Sequence, residues 1–250
     1  MSSLHEILQL FEPVRLEQLD SVKLLNRVDT KFLLQADILP DILKSMQKDY
    51  FVLEINSSRI CHYNTIYLDT PEFYFYNQHQ TGRLERVKIR VRNYLETGKS
   101  FLEIKTKNNH SKKAKDRISI SGIGEIKCKK YQKFLQKKTD KTKILNPVIE
   151  VLYSRITLVN REFTERLTID TDLSYKNDNK SIQVSNLCII ELKQDKTAKS
   201  PVRKVLRDKR IFVSSLSKYC LGIASLYPQV KRNNIKEKIR NINKICYENV

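Results

Sequence analysis

Hydrophobic spacing divides the chain between two periods. Leu4, Ile7, Leu8 and Phe11 recur at helical spacing, and Pro13 closes this short amphipathic segment. An extended run over 24–34 is followed by a helical one from Pro40, and strands are predicted at 50–55 and 59–68. Asp69-Thr-Pro71 ends the second strand and is expected to open a helix over 72–79, since proline suits a first helical turn. Strands follow in close succession at 83–94, 100–108 and 115–121, with turn residues at Thr97-Gly98 and Asn108-Asn109. A Lys-rich helical stretch at 125–138 precedes strands at 148–160, 163–172 and 181–193. Helices are predicted at 201–209 and 216–227, and a basic helical segment begins at Ile235. Short strands joined by polar turns describe an antiparallel meander with added helices, an α+β fold.

Successive strand residues point to opposite faces, so each strand splits into two columns. Val87, Ile89 and Val91 oppose Lys88, Arg90 and Arg92; Leu102 and Ile104 oppose Glu103, Lys105 and Lys107. Leu167 and Ile169 oppose Arg166, Thr168 and Asp170, while Cys188, Ile190 and Leu192 oppose Glu191 and Lys193; Arg27, Asp29 and Lys31 align likewise. An ordinary sheet with one wet face is one reading. The sign of the charge argues against it: residues 83–117 hold twelve Lys or Arg against four Asp or Glu, and like charges on neighbouring strands repel. A closed antiparallel β-barrel resolves the conflict, its apolar columns turned outward under packed helices and its charged columns lining a water-filled lumen. Clustered guanidinium and ammonium groups there would trap a chain of phosphates. Glu103, Glu191 and either Asp29 or Asp170 then become candidates to hold a hard cation, Mg²⁺ or Mn²⁺; the competing role for each is an ion pair with a lumen Lys or Arg.

Composition sharpens this picture. The 47 Lys and Arg exceed the 28 Asp and Glu by 19 charges, while 40% hydrophobic content is too high for a disordered chain. A folded, polyanion-seeking protein is expected, as one domain over 1–250 with its core at about 20–230 and a basic helix at 231–250. No apolar run approaches the roughly 18 residues of a membrane span, and Glu6, Glu12, Glu17 and Asp20 leave no room for a signal sequence. Five cysteines without a C-x-x-C pair fit a reduced, cytoplasmic setting. No G-x-x-x-x-G-K loop is present, so a triphosphate would be gripped by side chains. His5, His62, His79 and His110 lie outside the charged columns, which leaves no candidate covalent nucleophile among them. Tyr74, Phe75 and Tyr76 read first as core and second as a stack for adenine. Nucleic acid is not the expected partner, because Lys88-Arg90-Arg92 and Glu103-Lys105-Lys107 carry no interleaved aromatics. The basic helices read first as solvated or packed; an anionic membrane surface or a membrane-protein partner is the alternative.

Along the chain stand, in order, Asp29-Thr-Lys31, Tyr67-Leu-Asp-Thr-Pro71, Lys88-Ile-Arg-Val-Arg92, Glu103-Ile-Lys105, Arg117, Tyr153-Ser-Arg155, Arg166-Leu-Thr-Ile-Asp170, Ile190-Glu-Leu-Lys193 and Ser217-Lys218-Tyr219. This ordered series resembles the VTC domain, the polyphosphate polymerase module of the triphosphate tunnel metalloenzyme (CYTH-like) superfamily. The resemblance implies a tunnel barrel that binds ATP and Mn²⁺ or Mg²⁺ and passes the γ-phosphoryl group to a growing inorganic polyphosphate chain. It implies Lys31, Arg90, Arg92, Lys105, Arg155, Arg166 and Lys218 as the catalytic phosphate ligands. Lys88, Lys107, Lys115, Arg117 and Lys193 are implied as further substrate-binding groups, with Lys115 and Arg117 competing for one role. Glu191 matches the metal-binding carboxylate, Glu103 is a second candidate, and Asp29 stands where the superfamily usually has Glu. A tripolyphosphatase or nucleoside triphosphatase of the same fold, and a non-catalytic polyphosphate-binding module, are the alternative readings.

Overall fold

The structure is a computed structural model that describes residues 3–20, 27–109, 113–137, 139, 144–195 and 199–247. Residues 24–26, Lys138 and His110, which the sequence reading touched on, lie outside them. Helix α1 (Leu4–Gln9) is closed at its start by a capping box between Ser3 and Glu6. It leads through strand β1 (Pro13–Val14) and helix α2 (Leu16–Asp20) to β2 (Arg27–Gln35), α3 (Leu39–Met46), β3 (Tyr50–Leu53) and β4 (Cys61–Asp69). Then come α4 (Tyr74–Gln80), β5 (Arg86–Tyr94), β6 (Lys99–Lys107), β7 (Lys113–Ser119) and α5 (Lys129–Leu135). The second half holds β8 (Asn146–Asn160), β9 (Glu165–Lys176), β10 (Ser181–Gln183), β11 (Leu187–Asp195), α6 (Pro201–Asp208), β12 (Val213–Ser214), α7 (Lys218–Leu226) and α8 (Lys236–Tyr247). No helix among the described residues is long and apolar enough to cross a membrane.

Among the described residues one sheet takes up all twelve strands, in the main order β12-β2-β11-β9-β8-β4-β5-β6-β7. Its pairings are antiparallel except for β1, which runs parallel to β3. The hairpin of β5 and β6 turns at Gly98, whose φ of 64° lies in the left-handed region that glycine enters without a Cβ penalty. The expected closed barrel is not formed by hydrogen bonding among the described residues, because the ladder ends at β12 and β7.

Local departures from the sequence reading have identifiable causes. Helix α4 starts after Phe73, a left-handed cap with φ 56°, and not at Pro71, because the Asp69 carboxylate reaches forward and accepts the N–H groups of Phe75 and Tyr76. The stretch at 125–138 breaks into a 3-10 turn (Ile123–Lys127) and α5, since Cys128 between them has extended backbone. The run at 181–193 is two strands, parted by a turn at Asn186 with φ 54°.

The columns separate as their chemistry demands. On the outer face, Ile156, Leu158, Leu167, Ile169, Ile190 and Leu192 pack under α1, α3 and α6. Leu68, Ile89, Val91, Leu102 and Ile104 pack under α5 and Phe75. Burial at about 25 cal/mol per Å² of apolar surface makes both layers stabilising. Helix α7 departs from the expected arrangement, for it packs on the inner face. Its Tyr219, Ile223 and Leu226 join Ile149, Val151, Leu173, Tyr175 and Ile189 there. Gly222 makes this approach possible, because a Cβ on it would stand 2.4 Å from both Ile149 Cδ1 and Tyr175 Cδ1. Helix α8 buries Ile242 and Cys246 in the same cluster, so the basic carboxyl-terminal segment is docked. Phe75 and Tyr76 are core residues, while Tyr74 is exposed.

Candidate functional site

Cross-strand register brings the charged columns together on the inner face. Arg90 on β5 lies opposite Glu103 on β6, which lies opposite Arg117 on β7; Lys88, Lys105 and Lys115 form the next row. On the other half, Lys31 on β2 is opposite Glu191 on β11, and Asp29 and Arg166 flank Lys193. Lys107 lies towards the end of its column, in register with Arg86 and Lys113.

The two halves are tied together across this face by the start of α7: Ser217 accepts the amine of Lys88 on β5, and the next residue, Lys218, donates to Asp170 on β9.

Three ion-pair clusters organise this face. Glu103 has no exposed surface and sits between Arg90, whose Nε and Nη2 approach it to 2.6 and 2.5 Å, and Lys115. Burial pushes its carboxyl up, but Arg90, Arg92 and Lys115 outweigh that and hold it down to about 2. Glu191 accepts Lys31 at 2.9 Å with Lys193 at 3.8 Å; these two lysines hold its carboxyl well below the usual range despite burial. Asp170 receives both prongs of Arg155, at 2.5 and 2.8 Å, and the amine of Lys218 from the start of α7. Lys218 is placed by its helix, whose cap Ser217 accepts the Cys220 N–H and also the Lys88 amine at 3.0 Å.

Crowding of like charge has a price at Lys105. Arg90, then burial, then Arg92 and Lys193 lower its ammonium to about 6. Burial lowers Lys193 to about 8 although Glu191 opposes it. A phosphate placed among these groups favours their charged forms, so anion binding is coupled to proton uptake. Tripolyphosphate affinity is therefore expected to rise as pH falls from 8 towards 6, with protons taken up on binding. In Lys105→Met that part of the dependence should disappear; calorimetry in buffers of different ionisation enthalpy measures it.

Carboxylate settings decide which could serve a divalent cation. Glu191 is ionised, partly exposed and diagonal to Asp29 across the β2–β11 ladder, a hard-oxygen pair that fits Mg²⁺ or Mn²⁺. Glu103 is enclosed by Arg90 and Lys115, the ion-pair role that competes with metal binding for it. No group of three or more His, Cys, Asp and Glu that could hold a metal ion occurs among the described residues. Lys115 is spent on Glu103, whereas the exposed Arg117 lies over the Phe101 ring at 4.9 Å. His62 sits on the surface against Glu96, and burial together with Lys88 and Arg86 lowers His79 to about 3.

One feature escaped the sequence reading. The basic columns do end on aromatics: Tyr94 follows Arg92, and Phe101 precedes Glu103. With Tyr63 and Tyr153 they make a row across β6, β5, β4 and β8, with centroid spacings of 5.9, 5.1 and 5.1 Å. The signal was present as alternation carried one step past each charged run.

The fold is similar to that of solved structures. A candidate adenylate cyclase from Bacillus halodurans matches with a TM-score of 0.50 at 10% identity, over 81% of this chain and 97% of that one. A candidate adenylyl cyclase from Hippeastrum, described as having a dominant triphosphatase activity, matches at 0.49 and 13% identity over 80% and 96%. None of the curated proteins compared with the chain matches it. The VTC domain model matches residues 26–227, and the chain belongs to that family.

Proposed function

We propose that the chain is a polyphosphate polymerase, which passes the γ-phosphoryl group of ATP to a growing inorganic polyphosphate chain inside a basic tunnel formed by the curled sheet. Family membership supports a function on polyphosphate or triphosphate. The observation that carries the reading is the gathering of basic columns from both halves of the sheet on one face, tied together by Ser217 and Lys218 of α7, which reach Lys88 and Asp170. Such a surface needs an anion to be stable, and a linear polyphosphate supplies regularly spaced charge.

Phosphoryl transfer asks the protein mainly to position reactants and neutralise developing charge. In this reading Lys88, Arg90, Arg92 and Lys105 grip the phosphates from one wall, and Lys31, Arg155, Arg166, Lys193 and Lys218 from the other. Asp170 fixes Arg155 and Lys218 beforehand, so little reorganisation is needed when substrate arrives. Glu191 with Asp29 would hold Mn²⁺ or Mg²⁺, which supplies charge neutralisation on phosphate oxygens. The attacking oxygen comes from the acceptor phosphate chain itself. The donor is ATP, and we read the setting as cytoplasmic.

Incubation with ATP and Mn²⁺ followed by gel electrophoresis tests the proposal. Long phosphate ladders are expected; orthophosphate alone would assign a hydrolase, and binding without turnover a passive module. In Glu191→Gln, turnover is expected to fall about 10²-fold or more while phosphate-chain affinity stays within a few fold. An unchanged rate would remove Glu191 from the metal site.

A further inference from the structure

The aromatic row at the end of the basic columns braces Arg155 through Tyr63 and Tyr153, but its rings do not themselves grip phosphate. Phosphate is held by charge and hydrogen bonds, and neither requires a ring. Tyr63, Tyr94 and Phe101 are nonetheless partly exposed on the same inner face as Arg92. Rings of this size are normally buried unless something covers them. Their cationic neighbours are guanidinium planes: Arg117 lies 4.9 Å over Phe101, and Arg92 lies 5.6 Å over Tyr63. Tyr94 meets both Phe101 and Tyr63 edge-on, at 87° and 62°.

We infer that this row is a nucleobase platform, on which the purine of a nucleoside triphosphate stacks against Phe101 and Tyr94 beside the Arg117 guanidinium. The inference rests on the triphosphate reading above and adds to it the end at which the nucleoside sits. Each base has a polarisable π-face, and stacking on aromatic rings and arginine planes is how proteins hold bases without reading their edges. Geometry sets the direction. Arg92 is two residues from Tyr94 on β5 and opposite Phe101 on β6, so a triphosphate gripped by Arg92 brings its nucleoside beside the rings. The opposite end of the inner face is filled by α7, with Tyr219 and Ile223 packed against Ile149 and Tyr175. The platform therefore orients ATP with its γ-phosphate directed away from the rings and into the cationic bore. Stacking on a ring does not itself distinguish one purine from another, so other purine triphosphates should bind almost as well as ATP.

Equilibrium binding of ATP and of inorganic tripolyphosphate to the intact chain, in one buffer, tests this. Phe101→Leu and Tyr94→Leu are each expected to weaken ATP about tenfold, the usual effect of losing one base–ring stack, and to change tripolyphosphate less than about twofold. Adenine proton resonances should shift upfield on binding to the parent protein and less in either variant. Two variants are used because Phe101 supports Arg117 and Tyr94 lies near Arg92, so a ring that is only a support would cost tripolyphosphate as much as ATP. Equal loss for ATP and tripolyphosphate in both variants would make the rings mere supports for arginine and overturn the platform. Unchanged ATP affinity would overturn it as well, while tripolyphosphate binding still upheld the tunnel reading. If the parent protein bound neither ligand, the triphosphate reading would fall first. Tighter ring-dependent binding of an oligoadenylate than of ATP would replace the platform by a nucleic-acid surface.

Discussion

Arg155→Ala is expected to lower the rate of phosphoryl transfer from ATP about 10³-fold, the scale at which a lost arginine acts in such reactions. Its guanidinium is fixed before substrate arrives. Asp170 takes two of its N–H groups, and the Tyr63 and Tyr153 rings lie 5.0 and 5.2 Å from its centre. Its side chain keeps 15% of its surface, so in the proposed reaction charge developing on a phosphoryl group would meet a guanidinium that needs little reorganisation. Arg155→Lys is expected to recover little, since an ammonium cannot fork onto Asp170 and still face the bore. The fold should survive, because Lys218 continues to neutralise Asp170. Single-turnover rates with parallel thermal melts measure both effects. A loss smaller than tenfold with the melt unchanged would take Arg155 out of the transition state.

The second large effect is on stability. Glu103→Gln should destabilise the fold by about 3–5 kcal/mol, because it leaves the buried Arg90 guanidinium without its counter-charge, while the exposed Lys115 can turn to water. At this chain length that corresponds to a fall in Tm of about 10 °C. The same pair sets an acid limit. With its folded carboxyl lowered to about 2, Glu103 contributes stability that is fully present above its unfolded value of 4.5 and is lost as pH falls through 2. The variant should lose this component of the acid transition, which denaturant melts between pH 5 and 2 would read. A variant as stable as the parent would mean that Arg90 finds another acceptor.

These expectations draw on residues of unequal visibility in the sequence. Alternation identified Lys88, Arg90, Arg92, Lys105, Glu191 and Lys193 as members of one charged face, because strand geometry forces side chains two apart onto the same side. Gly98 and its neighbours marked a hairpin for an equally local reason. Glu103 and Glu191, by contrast, look alike as single acids in basic columns. Only the neighbours brought by other strands separate them: Glu103 is enclosed by Arg90 and Lys115, while Glu191 keeps part of its surface between two lysines. The start of α4 was likewise hidden, since Asp69 caps it from the end of β4 and overrides Pro71.

Period-two patterning, the excess of Lys and Arg, and the absence of a glycine-rich phosphate loop are local or compositional, and they sufficed for an antiparallel sheet with one basic face made for a polyanion. Curvature, pairing order and the placement of α7 on the inner face depend on contacts between residues far apart in the chain. Gly222 seating a helix against Ile149 and Tyr175 is one such contact. So is the link from Lys88 on β5 through Ser217 and Lys218 of α7 to Asp170 on β9. Long-range packing decided these features, and no local preference encodes them.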